Sequence, residues 1–376
     1  MANWQKQIKV LSRHFGFYLS RLISYPLVKP DMLQLCLLFR CNLSCKMCDM
    51  RSREKIDKDR GINYELSFKT TIDLIDQAKN MGIKQLFLVG GEPFLREDLF
   101  DILRYAHSCN LRTLVSTNGT LLGNPGVIEK IFESKLEDLT ISIDGACENT
   151  FKEIRGEGIF EKILTNIRLL NSMKRERSYF APNIIILCTI MNQNIEELLD
   201  IVHLARRLGV ACVGFQPVVA NNTDARLRDN AGPNWVPESR YVALDRSLDA
   251  LIKHKLSSKD NFKFIFPSVK QLQMTKKYFR GVLFRQNCYA GLNRIIISQD
   301  EKMYFCAQEP HKGKVSFGDI HKESLKDLWY SRQAKIFRKS IKKCYSSCLL
   351  GCSKRDEFER VKESFCWNLY SCSGIK

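Results

Sequence analysis

The stretch Phe39-Arg-Cys-Asn-Leu-Ser-Cys-Lys-Met-Cys-Asp49 decides how this chain is read. It places Cys41, Cys45 and Cys48 in one short loop. Iron–sulfur clusters normally take four thiolates. A loop offering three leaves one iron open, and an open iron can bind and reduce a substrate. Other fates compete. A lone cysteine is commonly a small core residue, but charged Arg40, Lys46 and Asp49 stand among these three. Zinc is the stronger rival. Structural zinc usually joins two short Cys/His hooks, and no second hook lies nearby in the sequence.

Outward from the loop, apolar β-type runs alternate with helical patterns. Strands are predicted over Leu33–Phe39, Gln85–Val89, Thr113–Ser116, Leu139–Ile143, Asn183–Ile190 and Ala211–Phe215. Helices are predicted over Phe68–Met81, Leu99–Cys109, Asn124–Glu133, Phe160–Lys174 and Ile195–Leu208. Such alternation implies a parallel sheet. About six units make a partial (β/α)6 barrel of TIM type, in which function sits at the C-terminal ends of the strands.

Those ends carry the motifs. The first strand runs into the cysteine loop. The second ends in Gly90-Gly91-Glu92-Pro93, the third in Ser116-Thr117-Asn118-Gly119, and the fourth in Ser142-Ile143-Asp144-Gly145, with Arg155-Gly156 after it. The sixth gives Gly214-Phe215-Gln216-Pro217. Singly these are weak, and a local salt bridge or helix cap would explain Asp144 and Arg155. In this order, from Leu33 to Pro217, the series resembles the radical S-adenosylmethionine (SAM) superfamily.

The resemblance implies that Cys41, Cys45 and Cys48 hold a [4Fe–4S] cluster whose open iron chelates SAM. It puts Gly90, Gly91 and Glu92 at the methionine ammonium and Met47 beside the adenine. Ser142 and Asp144 would face the ribose or methionine, and Arg155 the SAM carboxylate, a job suited to a guanidinium fork. Asn194 is a weaker match because Asn192 competes with it, and Gln216 is weaker still. Cleavage of SAM would yield a 5′-deoxyadenosyl radical that takes hydrogen from an unactivated carbon. No catalytic acid or base stands out.

Seven cysteines follow the barrel: Cys288, Cys306, Cys344, Cys348, Cys352, Cys366 and Cys372. A hairpin over Arg294–Ser298 and Lys302–Phe305, a helix over Leu325–Ile341 and this cysteine-rich tail resemble the SPASM/twitch extension. That implies an auxiliary [4Fe–4S] cluster on Cys288 and Cys306 with two of Cys344, Cys348 and Cys352. It would accept an electron or position the substrate. Glu301 stands where the pattern has a glycine, and the tail spacing is unusual. A second auxiliary cluster is therefore left open, as are the roles of Cys366 and Cys372. A zinc knuckle is the structural alternative for the tail.

The domain reading is residues 1–31 as an amphipathic helix, 32–220 as the barrel core, 221–287 as a linker with helices on the barrel side, and 288–376 as the auxiliary-cluster domain. The Asn221–Val236 loop is rich in Asn, Asp, Gly and Pro, and a helix is predicted over Tyr241–Lys255. In the first helix Trp4, Ile8, Leu11, Phe15, Tyr18 and Leu22 recur at helical spacing. Basic residues accompany them. This suits packing on the barrel, which is favoured, or peripheral contact with an anionic membrane.

The chain has 376 residues, 44% hydrophobic, with net charge +18 and 15 cysteines. It is too long for a small disulfide scaffold and has no cleavable signal or spanning segment. The cysteines therefore read as reduced, cytoplasmic and largely metal-binding. Cys36, Cys109, Cys147, Cys188 and Cys212 are exceptions, predicted as small core residues. The positive charge favours acidic or phosphorylated partners. No interleaved aromatic RNA motif is present, which sets nucleic acid aside. A peptide or small-molecule substrate, such as a sugar, nucleoside or lipid precursor, fits this reading, with a reductase such as flavodoxin or ferredoxin as electron donor. A non-enzymatic iron–sulfur or zinc protein is the remaining class.

Overall fold

The sheet is assembled from short apolar strands whose side chains alternate in burial, as in β5, Asn183–Ile190, where every second residue is buried. A computed structural model describes residues 2–59, 65–219, 232–284, 287–306, 316–344 and 348–349. Cys352, Cys366, Cys372 and residues 220–231 of the linker lie outside the described residues.

Helix α1 (Ala2–Ile23) precedes β1 (Met32–Cys36), and α2 (Met50–Asp59) follows the cysteine loop. Then come α3 (Phe68–Met81), β2 (Gln85–Val89), α4 (Leu99–Ser108), β3 (Arg112–Thr117), α5 (Val127–Glu133) and β4 (Asp138–Ser142). Two helices, α6 (Glu148–Arg155) and α7 (Phe160–Glu176), lead to β5, and α8 (Leu198–Arg207) to β6 (Cys212–Pro217). Beyond the linker lie α9 (Tyr241–Leu256), α10 (Lys259–Phe264), the two-residue β7 (Ile265–Phe266) and α11 (Val269–Phe279). The last part is a hairpin, β8 (Arg294–Ile297) and β9 (Met303–Tyr304), followed by α12 (Leu325–Tyr330) and α13 (Arg332–Ser340).

These strands form a 9-stranded sheet in the order β7-β6-β5-β4-β3-β2-β1-β8-β9. From β1 to β7 every neighbouring pair is parallel. This is the expected α/β barrel-type sheet, with β7 added at one edge. At the other edge β8 pairs in parallel with β1, Met32 opposite Arg294, while β9 runs antiparallel to β8. The hairpin of the extension thus continues the barrel sheet. The core fills the space under α3, α4, α7 and α8, with Leu33, Leu35, Leu86, Leu88, Ile141 and Ile186 fully buried.

Several expectations change. The segment expected as one helix over Leu325–Ile341 is two. Ser331 breaks it, because its hydroxyl accepts the Ala334 N–H and starts α13 as an N-cap. Helix α1 packs on the protein, but not by its apolar stripe: Phe17 is buried against Tyr289 and Leu292, while Ile8, Phe15 and Leu22 are exposed. Cys109 and Cys188 are buried as expected, Cys36 and Cys212 are half-buried, and Cys147 is exposed. Its thiol lies beside Thr150 and Glu197 at the start of α6 instead of entering the core.

The extension is held by a buried cation. Arg338 donates to the carbonyls of Gly291 and Trp329, both at 2.6 Å. Its guanidinium lies over the Trp329 ring, 4.6 Å from the centroid. Burial lowers its pKa to about 10, so it stays charged at neutral pH.

Candidate active site

The backbone leaving β1 is stitched to the glycine motif after β2. The Leu37 N–H donates to Val89 O at 2.8 Å, Gly91 N–H to Leu38 O at 2.7 Å, and Glu92 N–H to Arg40 O at 2.8 Å. Gly91 sits so close to the cysteine loop that a Cβ would lie 2.0 Å from Arg40 O. Only glycine fits there, since backbone atoms cannot yield as a flexible side chain would. The glycine that the sequence marked for ligand approach also sets the path of the chain into Cys41.

Glu92 is fully buried. Its Oε1 accepts from Phe94 N–H at 3.1 Å and Thr117 Oγ1 at 2.7 Å, and its Oε2 from Asn118 N–H at 2.8 Å. Burial raises its pKa, against the pull of these donors. Three of roughly four acceptor directions are taken. The carboxylate clasps the ends of β2 and β3 together.

Asn118 extends that clasp to the cysteines. Its Nδ2 donates to Asn42 Oδ1 at 2.8 Å and lies 3.9 Å from Cys41 Sγ. Asn42 in turn donates to Thr120 Oγ1 at 2.8 Å. Sequence reasoning quoted Asn118 as part of a motif but gave it no role, and it passed over Asn42 and Thr120. The Ser-Thr-Asn-Gly run was the available signal, because a buried amide at a strand end needs partners.

The third side of the site is an ion pair. Asp144 is fully buried and Arg155 is 9% exposed. Arg155 Nε donates to Asp144 Oδ2 at 2.6 Å, and its Nη1 lies 3.6 Å from Cys45 Sγ. Burial works against the guanidinium charge, but Asp144 and Cys45 outweigh it and raise the Arg155 pKa. Asp144 Oδ1 also accepts the Thr189 N–H at 2.6 Å. Asn194, fully buried, donates to the carbonyls of Asp144 and Thr189 and accepts the Met191 N–H, so its carboxamide holds the loop after β5. Asn192 instead takes Arg240 on its carbonyl and side-chain oxygens. Ser142 ends β4 half-buried, Met47 packs on the core, and Gln216 lies in β6 opposite Thr189.

The cysteine triad opens onto one cavity of about 790 Å³, lined by Cys41, Cys45 and Cys48 together with the cations Arg40, Arg51 and Lys55 and the acids Glu54 and Asp59. Burial is the main cause that raises each cysteine pKa, followed by Glu92 and then Cys45 for Cys41, by Cys48 for Cys45, and by Asp49 and then Cys41 for Cys48. The Leu43 N–H points at Cys41 Sγ from 3.4 Å. Half-buried Cys41 and Cys45 and exposed Cys48, with N–H groups aimed at the first two, suit thiolates bound to iron, whose hydrogen bonds tune a cluster. Among the described residues, no three His, Cys, Asp or Glu gather closely enough for a single metal ion. A cluster needs less convergence, because each thiolate meets its own iron. In the extension, Cys288 precedes β8, Cys306 follows β9, and Cys344 follows α13.

Residues 36–205 match the radical SAM superfamily, and residues 288–353 match an iron–sulfur cluster-binding domain, SPASM. The chain belongs to the radical SAM superfamily. This radical SAM enzyme is 28% identical over 304 residues to an AdoMet-dependent heme synthase of Methanosarcina barkeri, covering 80% of this chain and 81% of that one. It is 26% identical over 274 residues to a probable GTP 3′,8-cyclase of Saccharolobus islandicus, covering 71% and 79%. In fold it resembles Streptococcus suis SuiB, solved with its precursor peptide SuiA, at a TM-score of 0.64 and 16% identity, covering 94% of this chain and 75% of that one. AdoMet-bound anSMEcpe gives a TM-score of 0.62 at 16% identity, covering 92% and 100%. A radical SAM domain works with a [4Fe–4S] cluster and SAM, and a SPASM domain adds auxiliary iron–sulfur binding. No helix among the described residues is long and apolar enough to cross a membrane.

Proposed function

We propose that Cys41, Cys45 and Cys48 hold the SAM-binding [4Fe–4S] cluster, and that the enzyme takes hydrogen from an unactivated carbon of an anionic small molecule. The supporting observation is the cavity that all three thiols line, with the Arg155 guanidinium beside Cys45. When bound and reduced, the cluster supplies the electron that splits SAM into methionine and a 5′-deoxyadenosyl radical. Glu92 keeps one acceptor direction for the SAM ammonium. Arg155, anchored by Asp144, offers its remaining N–H groups to a carboxylate. Gly90, Gly91, Met47, Ser142 and Asn194 would supply the remaining SAM contacts that the resemblance implies.

The small-molecule reading draws on the relatives named for heme and GTP chemistry, which align over most of this chain. Arg40, Arg51 and Lys55 outnumber Glu54 and Asp59 in the cavity lining, and this positive balance suits an anionic substrate. We assign the auxiliary cluster to Cys288 and Cys306 with two of Cys344, Cys348 and Cys352. An electron donor such as flavodoxin or ferredoxin would serve the first cluster. Metal-binding thiols on this scale fit a reducing cytoplasm.

Anaerobic reconstitution with SAM and a strong reductant tests the core of this reading. The wild type should release 5′-deoxyadenosine, and Cys45→Ala should not. Retained cleavage in Cys45→Ala would overturn the ligand assignment. For the substrate, turnover in a deuterium-labelled cell extract should move deuterium into 5′-deoxyadenosine from the ultrafiltrate. Transfer only from the retained peptide fraction would refute the small-molecule reading.

A further inference from the structure

Helix α1 turns its small face to the protein. A Cβ on Gly16 would lie 2.5 Å from Val28 Cγ1, so the helix approaches the returning chain closely. The Ser20 hydroxyl donates to Gly16 O at 2.6 Å and accepts the Leu27 N–H at 2.9 Å. Among the described residues of α1, Phe17 is the large apolar side chain buried on this face, against Tyr289 and Leu292. The apolar stripe points the other way. Ile8 and Phe15 are each 60% exposed and Leu22 is 48% exposed. Tyr18 lies on the same stripe, and Ile23, Tyr25 and Leu27 follow in the open. A contiguous patch of this kind marks a contact surface.

Charge says what kind. No acidic residue precedes Asp31, and none lies between Asp327 and Asp356. The two acid-free segments meet. The Tyr25 and Tyr330 rings have centroids 6.3 Å apart, and the Lys342 ammonium donates to the carbonyl of Leu22. Arg332, Lys335, Lys339 and Lys343 are exposed on α13 and the turn after it. An apolar stripe that ends in a cluster of cations suits a helix lying in the interface of an anionic bilayer. A nucleic acid would use the cations and leave Ile8, Phe15 and Leu22 in water. A second copy would bring the same positive charge to the same place.

We propose that α1, with the basic turn at its C-terminal end, docks on an anionic lipid bilayer. This stands apart from the reading of the active site and does not depend on it. The helix lies on the surface instead of crossing it, since no described helix can span.

The test is flotation of the full-length reconstituted protein with phosphatidylcholine vesicles, with or without phosphatidylglycerol. The protein should float with the anionic vesicles only, and added salt should weaken the association. Phe15→Ser with Leu22→Ser should cut partitioning by at least about tenfold while iron content and melting temperature hold. Lys335→Glu with Lys339→Glu leaves the core untouched and should also weaken binding. Equal flotation with neutral vesicles would overturn the proposal. So would wild-type binding by both variants, or duplex nucleic acid bound in preference to vesicles. A dimer abolished by the Phe15/Leu22 changes, with no vesicle binding, would overturn it too.

Discussion

Removing the guanidinium from Arg155 should expose how much of the site rests on one buried pair. Arg155→Met leaves the fully buried Asp144 carboxylate with the Thr189 N–H on Oδ1 and nothing in place of the 2.6 Å ion pair on Oδ2. Breaking a buried pair from one side costs about 3–5 kcal/mol, because the other charge stays behind uncompensated. At roughly 2 °C per kcal/mol for a large domain, the apo protein should melt about 6–10 °C lower. Asp144→Asn should be costly too, since a buried guanidinium then faces an amide. The double variant removes both charges, and Asn keeps an oxygen for Thr189. It should recover to within about 2 kcal/mol of wild type. Urea unfolding of the four apo proteins, reduced and without iron, measures the cycle. The reasoning fails if Arg155→Met costs less than about 1 kcal/mol, or if the two single costs simply add, because contacting charges should couple.

Gly91→Ala should cost about 3 kcal/mol or more, since its Cβ would strike Arg40 O. Its iron content after reconstitution should fall, and full loading would show that the loop path is not tied to this glycine. Gln299, 2% exposed, donates to Leu38 O at 3.1 Å. Gln299→Leu should cost about 1 kcal/mol, and Gln299→Glu more, because a carboxylate would face a carbonyl; melting curves that reverse this order would refute the bond. His254 has its pKa lowered from 6.5, first by burial and then by His203 and Arg206. Its neutral form is favoured on folding, so its contribution is fully present above pH 6.5 and is lost as pH falls through the lowered value. The acid-side slope of melting temperature should therefore flatten in His254→Gln, and an unchanged slope would contradict this.

The parts legible in the sequence were those with local causes. The bounds of β2 and β5 match the expected strands, and α3 matches the expected helix over Phe68–Met81. A continuous apolar run and a Ser67 cap suffice for these. The order of the strand-end motifs placed Glu92, Asp144 and Arg155 around the cysteines, and the structure brings them together there. What stayed hidden depends on partners far along the chain. The stripe on α1 has the period of a buried face, but the surface that α1 meets is made by Tyr289 and Leu292 and selects Phe17 instead. The two residues of β7 carry too little pattern to be seen. Asn42 and Thr120 gain meaning only when Asn118 stands between them.

The pairing of β8 with β1 has a consequence during synthesis. Gln34 and Arg294 are hydrogen-bonded across 260 positions of chain. At roughly 5–20 residues per second, translation needs about 13–50 s to deliver the neighbour of β1 after β1 itself has emerged. Through that interval one edge of the first strand offers its N–H and C=O groups to any passing strand. The edge beside the loop that carries Cys41, Cys45 and Cys48 therefore stays open until β8 arrives to cover it.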